Sequence, residues 1–257
     1  MSMIEVREPK IEVQQPNWTR SIPPIWKELL WTLDWTVLRF HPVYYGIDVP
    51  RGDGSPVVLV PGFLGTDSYL YELYFWLQRI GYRPYMSGIG LNAECPGSLS
   101  RRLFKTVARA HEETGRPVRI VGHSLGGIIG RRVCLEHPDI AQQLVYLGSP
   151  LQAVIAHPLI VASATLLHTT LSLINAQHRD CLTDRCPCGF INDIGKDLDA
   201  NVRHAAIYTR ADGVVDWHAA QETDPRLNFE VGGTHIGLVY NPLAYQVLAE
   251  LLADPQH

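Results

Sequence analysis

From Gly54 onward the chain alternates short apolar runs with stretches whose apolar positions recur every three or four residues, the mark of a mainly parallel sheet flanked by helices. Val57 to Val60 (VVLV) reads as the first strand, and PGFLGTD as the loop after it. Asp67 is placed to cap a helix with Tyr69, Leu70, Leu73, Tyr74, Leu77 and Ile80 on one side, stopped by Gly81. A strand over 82–86 comes next. Ser98 is then placed to cap a helix that carries Leu99, Leu103, Val107 and Ala110 and ends at Gly115. Val118 to Val121 reads as strand, Leu125 to His137 as helix stopped by Pro138, and Gln143 to Leu147 as strand. The alternation resumes with a strand over 204–209, a short helix near 217–221, a strand over 227–231 and a last helix capped by Asn241 with Pro242 in its first turn. About six strands with helices on both faces are expected.

Two segments fall outside this rhythm. Residues 1–50 read as an arm with one tryptophan-rich helix, Ile25 to Phe40 (IWKELLWTLDWTVLRF). The helix is apolar around most of its circumference yet carries Lys27, Glu28, Asp34 and Arg39 and is too short to span a bilayer. It suits docking onto the domain or peripheral contact with a membrane. Between about 151 and 200 an apolar helix-like stretch and a cysteine cluster stand where another strand would come, an insertion above the sheet edge. Its segment LIVASATLLHTTLSLI (159–174) could line an acyl groove or merely cover that edge.

With 257 residues, 46% of them hydrophobic, the chain has material for one large domain, and the reading is a single domain over 1–257. A net charge of -4 gives no reason to expect a nucleic-acid partner. The opening residues, MSMIEVREPK, lack the pattern of a secretory signal, so a cytoplasmic location is expected. Oligomeric state is not legible.

Gly122-His123-Ser124-Leu125-Gly126 fits G-x-S-x-G between an apolar strand and a helix. Such an elbow presents the serine at a helix N-terminus on a strained turn that glycines on either side permit. A serine hydroxyl needs a base in reach and a third group to orient that base. His235 follows the last strand in a glycine-bearing loop and is the candidate base, whereas His123 is expected to pack beneath the elbow. The acid should lie between serine and histidine in chain order, in RADGVVDWH. Asp212, directly after a strand and before Gly213, is assigned as that acid; Asp216 is read as a helix cap and kept as the alternative acid. The backbone N–H groups of Phe63 and Leu125 are the expected oxyanion donors.

Together VPGFLGTDSY, VRIVGHSLGG, RADGVVDW and GGTHIGLVYNP resemble the α/β-hydrolase superfamily, and within it the compact Bacillus-type bacterial lipases. The resemblance covers about 55–150 and 203–252 and implies an α/β-hydrolase fold with a cap insertion. It also maps the acid of the DG(L/I/V)V-like turn to Asp212, the histidine of the HIGLLY-like segment to His235, and the elbow serine to Ser124. Many relatives begin the oxyanion loop with His-Gly where this chain has Pro61-Gly62, which leaves the backbone donor intact. Most are secreted, unlike the expectation here. The implied activity is cleavage of carboxylic esters, with hydrophobic acyl groups, without a cofactor. Acyl transfer and thioester cleavage share the first half-reaction, and a non-catalytic binding protein on the same fold is the alternative from another class.

HRDCLTDRCPCGF brings Cys181, Cys186 and Cys188 together with His178. Reduced packing thiols, a disulfide from Cys181 to Cys186 or Cys188, or a zinc site made by these four residues are the readings, and each would pin the insertion rather than serve catalysis.

Overall fold

The computed structural model describes residues 25–152, 188–193 and 195–253, with the separate positions 157, 159, 162, 163 and 166. Six strands form one sheet: β1 (Pro56–Val60), β2 (Arg83–Met86), β3 (Val118–His123), β4 (Ala141–Leu147), β5 (Arg203–Tyr208) and β6 (Asn228–Glu230). Their order is β2-β1-β3-β4-β5-β6, and every adjacent pair is parallel. All the strand ends that follow the direction of the chain therefore face one way, and the loops leaving them share one rim.

Both faces of the central strands are buried, so they read as unbroken apolar runs. Val57 and Leu59 of β1, Val145 and Leu147 of β4, and Ala205 and Ile207 of β5 point into one core. That core is closed by α2 (Tyr71–Arg79), α5 (Pro242–Ala253) and the arm helix α1 (Trp31–Phe40). Val58, Val60, Leu144, Tyr146 and Ala206, the intervening residues, point into the other, under α3 (Pro96–Thr114) and α4 (Leu125–Glu136).

Three boundary expectations change. Asp67 does not cap the first core helix; its carboxylate accepts from Ser87 Oγ at 2.5 Å and Gly88 N–H at 2.9 Å and so ties that helix to the loop after β2. Helix α3 starts at Pro96 rather than after Ser98, because proline at the first position loses only an N–H that has no intrahelical partner there. The segment near 217–221 is a turn, not a helix. Asn241 caps α5 as expected, its Oδ1 accepting from Leu243 and Ala244 N–H at 2.9 and 3.2 Å.

The arm docks. Leu38 is fully buried, Trp31 lies 5.3 Å from Tyr240 between ring centroids, and Trp35 Nε1 donates to Glu72 beside the Arg39–Glu72 ion pair. Its outer face leaves Trp26, Leu29, Leu33, Val37 and Phe40 exposed, and among the described residues no helix is long and apolar enough to cross a membrane. Of the insertion, Phe190 is buried in the α3/α4 core, and Cys188 packs on Gly97, where an added Cβ would come within 2.6 Å of the cysteine Cβ. His178, Cys181, Cys186 and most of the stretch 159–174 lie outside the described residues.

Candidate active site

Strand β3 ends and α4 begins at Ser124, which holds φ 53° and ψ -126°, a conformation that a residue with a side chain adopts only under strain. Neighbouring glycines make room for the turn. A Cβ at position 122 would stand 2.4 Å from Gly127 Cα, and one at 126 would stand 2.4 Å from the Val60 carbonyl oxygen. Strand, elbow and helix thus pass at backbone contact, and Ser124 N–H is held by the Leu147 carbonyl at 2.8 Å. The serine stands at the N-terminus of a twelve-residue helix, where the helix dipole favours negative charge.

Asp212 and His235 meet across the loops after β5 and β6. Asp212 Oδ2 accepts from His235 Nδ1 at 2.6 Å, with both side chains buried. Asp212 Oδ1 takes the N–H groups of Val214 and Val215 at 2.8 and 2.7 Å, which fixes the carboxylate plane and leaves Oδ2 for the imidazole. Burial opposes a charged imidazolium at His235, but the charge and hydrogen bond of Asp212, with Glu28 adding to them, hold its pKa above the ordinary value. Asp216 serves elsewhere. Its Oδ1 accepts from His218 N–H at 2.9 Å and lies 2.8 Å from His218 Nδ1, closing the 217–220 turn rather than capping a helix.

The tip of β4 brings the two halves together. Leu147 holds Ser124, and a Cβ on the next residue, Gly148, would lie 3.1 Å from His235 Nδ1. His123 contributes from the other side: its ring is 4.7 Å from that of His235 between centroids, and its Nε2 is 3.0 Å from the His235 carbonyl oxygen. Burial first, and the facing His235 second, push the His123 pKa down to about 3, so it is neutral at physiological pH. It packs beneath the elbow as expected, and it also links loops.

That link starts in the loop after β1, which carries Phe63. Gly62 N–H donates to Tyr69 Oη at 2.5 Å, and Tyr69 Oη is 2.9 Å from His123 Nδ1. The His235 carbonyl can only accept, so neutral His123 carries its proton on Nε2 and donates it there, which leaves Nδ1 to accept from the Tyr69 O–H. The loop's other side is stitched to Asn92, which is buried; its side-chain amide donates to the Pro61 carbonyl at 2.8 Å and its backbone carbonyl accepts from Leu64 N–H at 2.8 Å. Among the described residues, the N–H groups of Phe63 and Leu125 are engaged by no other protein group. Leu64, at φ 58°, and Ile236 leave apolar side chains exposed beside Phe63 and His235.

Four contributors had no sequence signal that singled them out: Tyr69, Asn92, and from the arm Glu28 and Asp34. Glu28 is buried and accepts backbone N–H groups from Gly213, His235 and Ile236. Asp34 accepts from Asn241 Nδ2 at 3.1 Å. For the two arm residues the hint lay in carboxylates standing in a mostly apolar, tryptophan-rich segment.

Comparison with known proteins agrees with this architecture. Residues 94–233 match the family model described as Lipase (class 2). Triacylglycerol lipases of Burkholderia plantarii and Pseudarthrobacter phenanthrenivorans are each 28% identical, over 118 and 104 residues, or 42% and 37% of this chain. The matched stretch spans 33% of either relative's length. Among solved structures, the mature lipase of Bacillus licheniformis superposes with a TM-score of 0.55 at 16% identity, over 80% of this chain and 95% of that one. The six-stranded parallel sheet and these neighbours establish the α/β-hydrolase fold, and the match over more than half the sequence establishes that the chain belongs to the class 2 lipase family.

Proposed function

We propose that the chain is a serine hydrolase that cleaves carboxylic esters of hydrophobic acyl groups through an acyl-enzyme. The buried 2.6 Å Asp212–His235 pair, on the same rim as the strained Ser124 elbow, carries the reading. Family membership and the lipase names of the relatives support it, and the exposed Leu64 and Ile236 offer an apolar border for an acyl chain.

In this mechanism Ser124 Oγ attacks the ester carbonyl carbon while His235 Nε2 takes the hydroxyl proton. Asp212, bound to Nδ1, keeps the imidazole in the tautomer whose Nε2 is free to accept and stabilises the imidazolium that forms. The carbonyl oxygen becomes an oxyanion between the N–H groups of Phe63 and Leu125, where loss of one donor costs about 3 to 4 kcal/mol of transition-state stabilisation. Collapse of the tetrahedral intermediate breaks the bond to the alcohol oxygen, which departs with the proton from His235. Water, deprotonated by His235, then releases the carboxylic acid by the same steps and restores the serine.

The test is a chain-length series of p-nitrophenyl esters and triglycerides, run beside labelling by an alkyl phosphonate. Turnover that rises with acyl length and disappears together with labelling in Ser124→Ala is expected. Hydrolysis unchanged in that variant would overturn the assignment.

A further inference from the structure

Resting on that reading, we propose that Glu28 is a positioning residue for the hydrolytic site: its buried carboxylate, delivered by the arm, holds the Gly213 turn and the His235–Ile236 loop together. Glu28 Oε1 accepts from Gly213 N–H at 2.8 Å and His235 N–H at 3.1 Å, while Oε2 accepts from Ile236 N–H at 2.8 Å. One donor follows the acid in sequence; the other two are the histidine and the residue after it. A single side chain therefore sets the spacing of the two loops whose side chains form the Asp212–His235 hydrogen bond.

A carboxylate suits this place for two reasons. Its two oxygens accept three amide protons in a buried region, where each amide left alone is costly. Its charge also faces the imidazole. The groups around His235 are Asp212 from the β5 loop, neutral His123 from β3, Glu28 from the arm and, behind Glu28, Asp34 from α1. Glu28 is thus a second negative charge favouring the imidazolium formed during proton transfer.

Docking of the arm does not itself require Glu28. Helix α1 is held through Leu38, the Trp31–Tyr240 contact and the Arg39–Glu72 pair, none of which touches the Gly213 turn. Asp34 reaches the same histidine loop on either side of the Glu28 contacts: added Cβ atoms at Gly233 and Gly237 would fall 2.9 and 2.2 Å from its carboxylate oxygens. The loop carrying His235 is bracketed by two arm carboxylates.

The full chain with Glu28→Gln is the decisive variant, since glutamine keeps the shape but loses the charge and one acceptor oxygen. Leu38→Ala is the control, weakening the docking without touching the carboxylate. With p-nitrophenyl butyrate, Glu28→Gln is expected to lower kcat about 10- to 100-fold with KM within about twofold, as slight misplacement of a reacting group does. The acid limb of its pH profile should move to lower pH. Leu38→Ala should lower thermal stability at least as far and keep both kcat and the limb. A Glu28→Gln protein whose kcat and limb match Leu38→Ala would overturn the proposal. The hydrolase reading fails separately, by the absence of ester turnover and of phosphonate labelling in the parent. Even then, NMR of the Ser124→Ala chain decides for Glu28: adding Glu28→Gln should weaken the downfield His235 Nδ1–H resonance and lower that ring's titration midpoint, and no change in either would refute it.

Discussion

Asp212 and His235 share a 2.6 Å hydrogen bond with almost no solvent access to either side chain, whereas Asp216, four residues on, spends its carboxylate on His218. Two aspartates in one short loop have been given different partners. Asp212→Asn should therefore lower kcat by about 10³- to 10⁴-fold, the scale seen when an orienting carboxylate is neutralised and the imidazole takes the wrong tautomer. Asp216→Asn, which leaves the Asp212–His235 pair in place, should stay within about threefold of the parent because its amide oxygen can still accept from His218 N–H. A larger loss at 216, read by initial rates on one aryl ester, would reverse the assignment.

The elbow stores backbone strain at Ser124, where φ is 53°. Replacing that residue by glycine removes the strain, while replacing it by alanine removes only the hydroxyl. Ser124→Gly is expected to be more stable than Ser124→Ala by about 1 kcal/mol, the strain of a non-glycine residue in a sparsely populated conformation less the entropy glycine loses on folding. Urea unfolding of the two inactive variants provides the comparison, and equal midpoints would remove the strain argument.

Gly126 tests the close approach of α4 to the end of β1. A Cβ there would lie 2.4 Å from the Val60 oxygen and 2.5 Å from the Pro61 oxygen, both backbone atoms that cannot swing aside. Gly126→Ala should cost about 3 kcal/mol or more, at the upper end for an overpacked core, and disturb the loop after β1 with it. Thermal unfolding within a degree of the parent would show that the elbow has slack.

Acidity should act on catalysis and on folding through different histidines. In the proposed mechanism His235 is the general base and must be neutral; its pKa is held above the ordinary value near 6.5, so kcat/KM should fall on acidification through a midpoint above about 6.5. A midpoint at or below 6 in the pH–rate profile would contradict the Asp212 and Glu28 contributions.

His123 has the opposite sign. Its pKa is pushed to about 3, so between about 6.5 and 3 the unfolded chain binds a proton that the native state does not. The His123 contribution to stability is accordingly complete above pH 6.5 and declines as the pH falls, by about 1.4 kcal/mol for each unit of difference at most. His123→Phe should be less stable at pH 7, having lost the Tyr69 and His235 contacts, but should show a shallower loss between pH 6.5 and 4. Parallel pH–stability curves for the two proteins would exclude this origin.

Much of this architecture was open to reading along the chain because it follows from short-range rules. The runs of the four central strands are legible because neighbours along each are buried on opposite faces, and Gly122 and Gly126 announce the elbow because nothing larger fits. Boundaries were less legible where two local rules compete: Pro96, not Ser98, starts α3, and Asp67 forgoes capping for the loop after β2. Near 217–220, Asp216 is engaged as a cap would be, but the segment closes on itself as a turn.

By itself, then, the sequence determined the fold, the elbow serine and the chain order from which Asp212 and His235 were selected, since these depend on residue period, glycine spacing and the residues just beyond each strand. Tertiary structure brought Asp212, the aspartate the sequence had favoured, onto the imidazole, and it supplied the supports that no local pattern encodes. Glu28 reaches His235 across 207 positions, and Tyr69 reaches His123 across 54. In the first of these the donor is a backbone N–H, a group nearly every residue possesses, so no choice of side chain at position 235 marks the contact in advance.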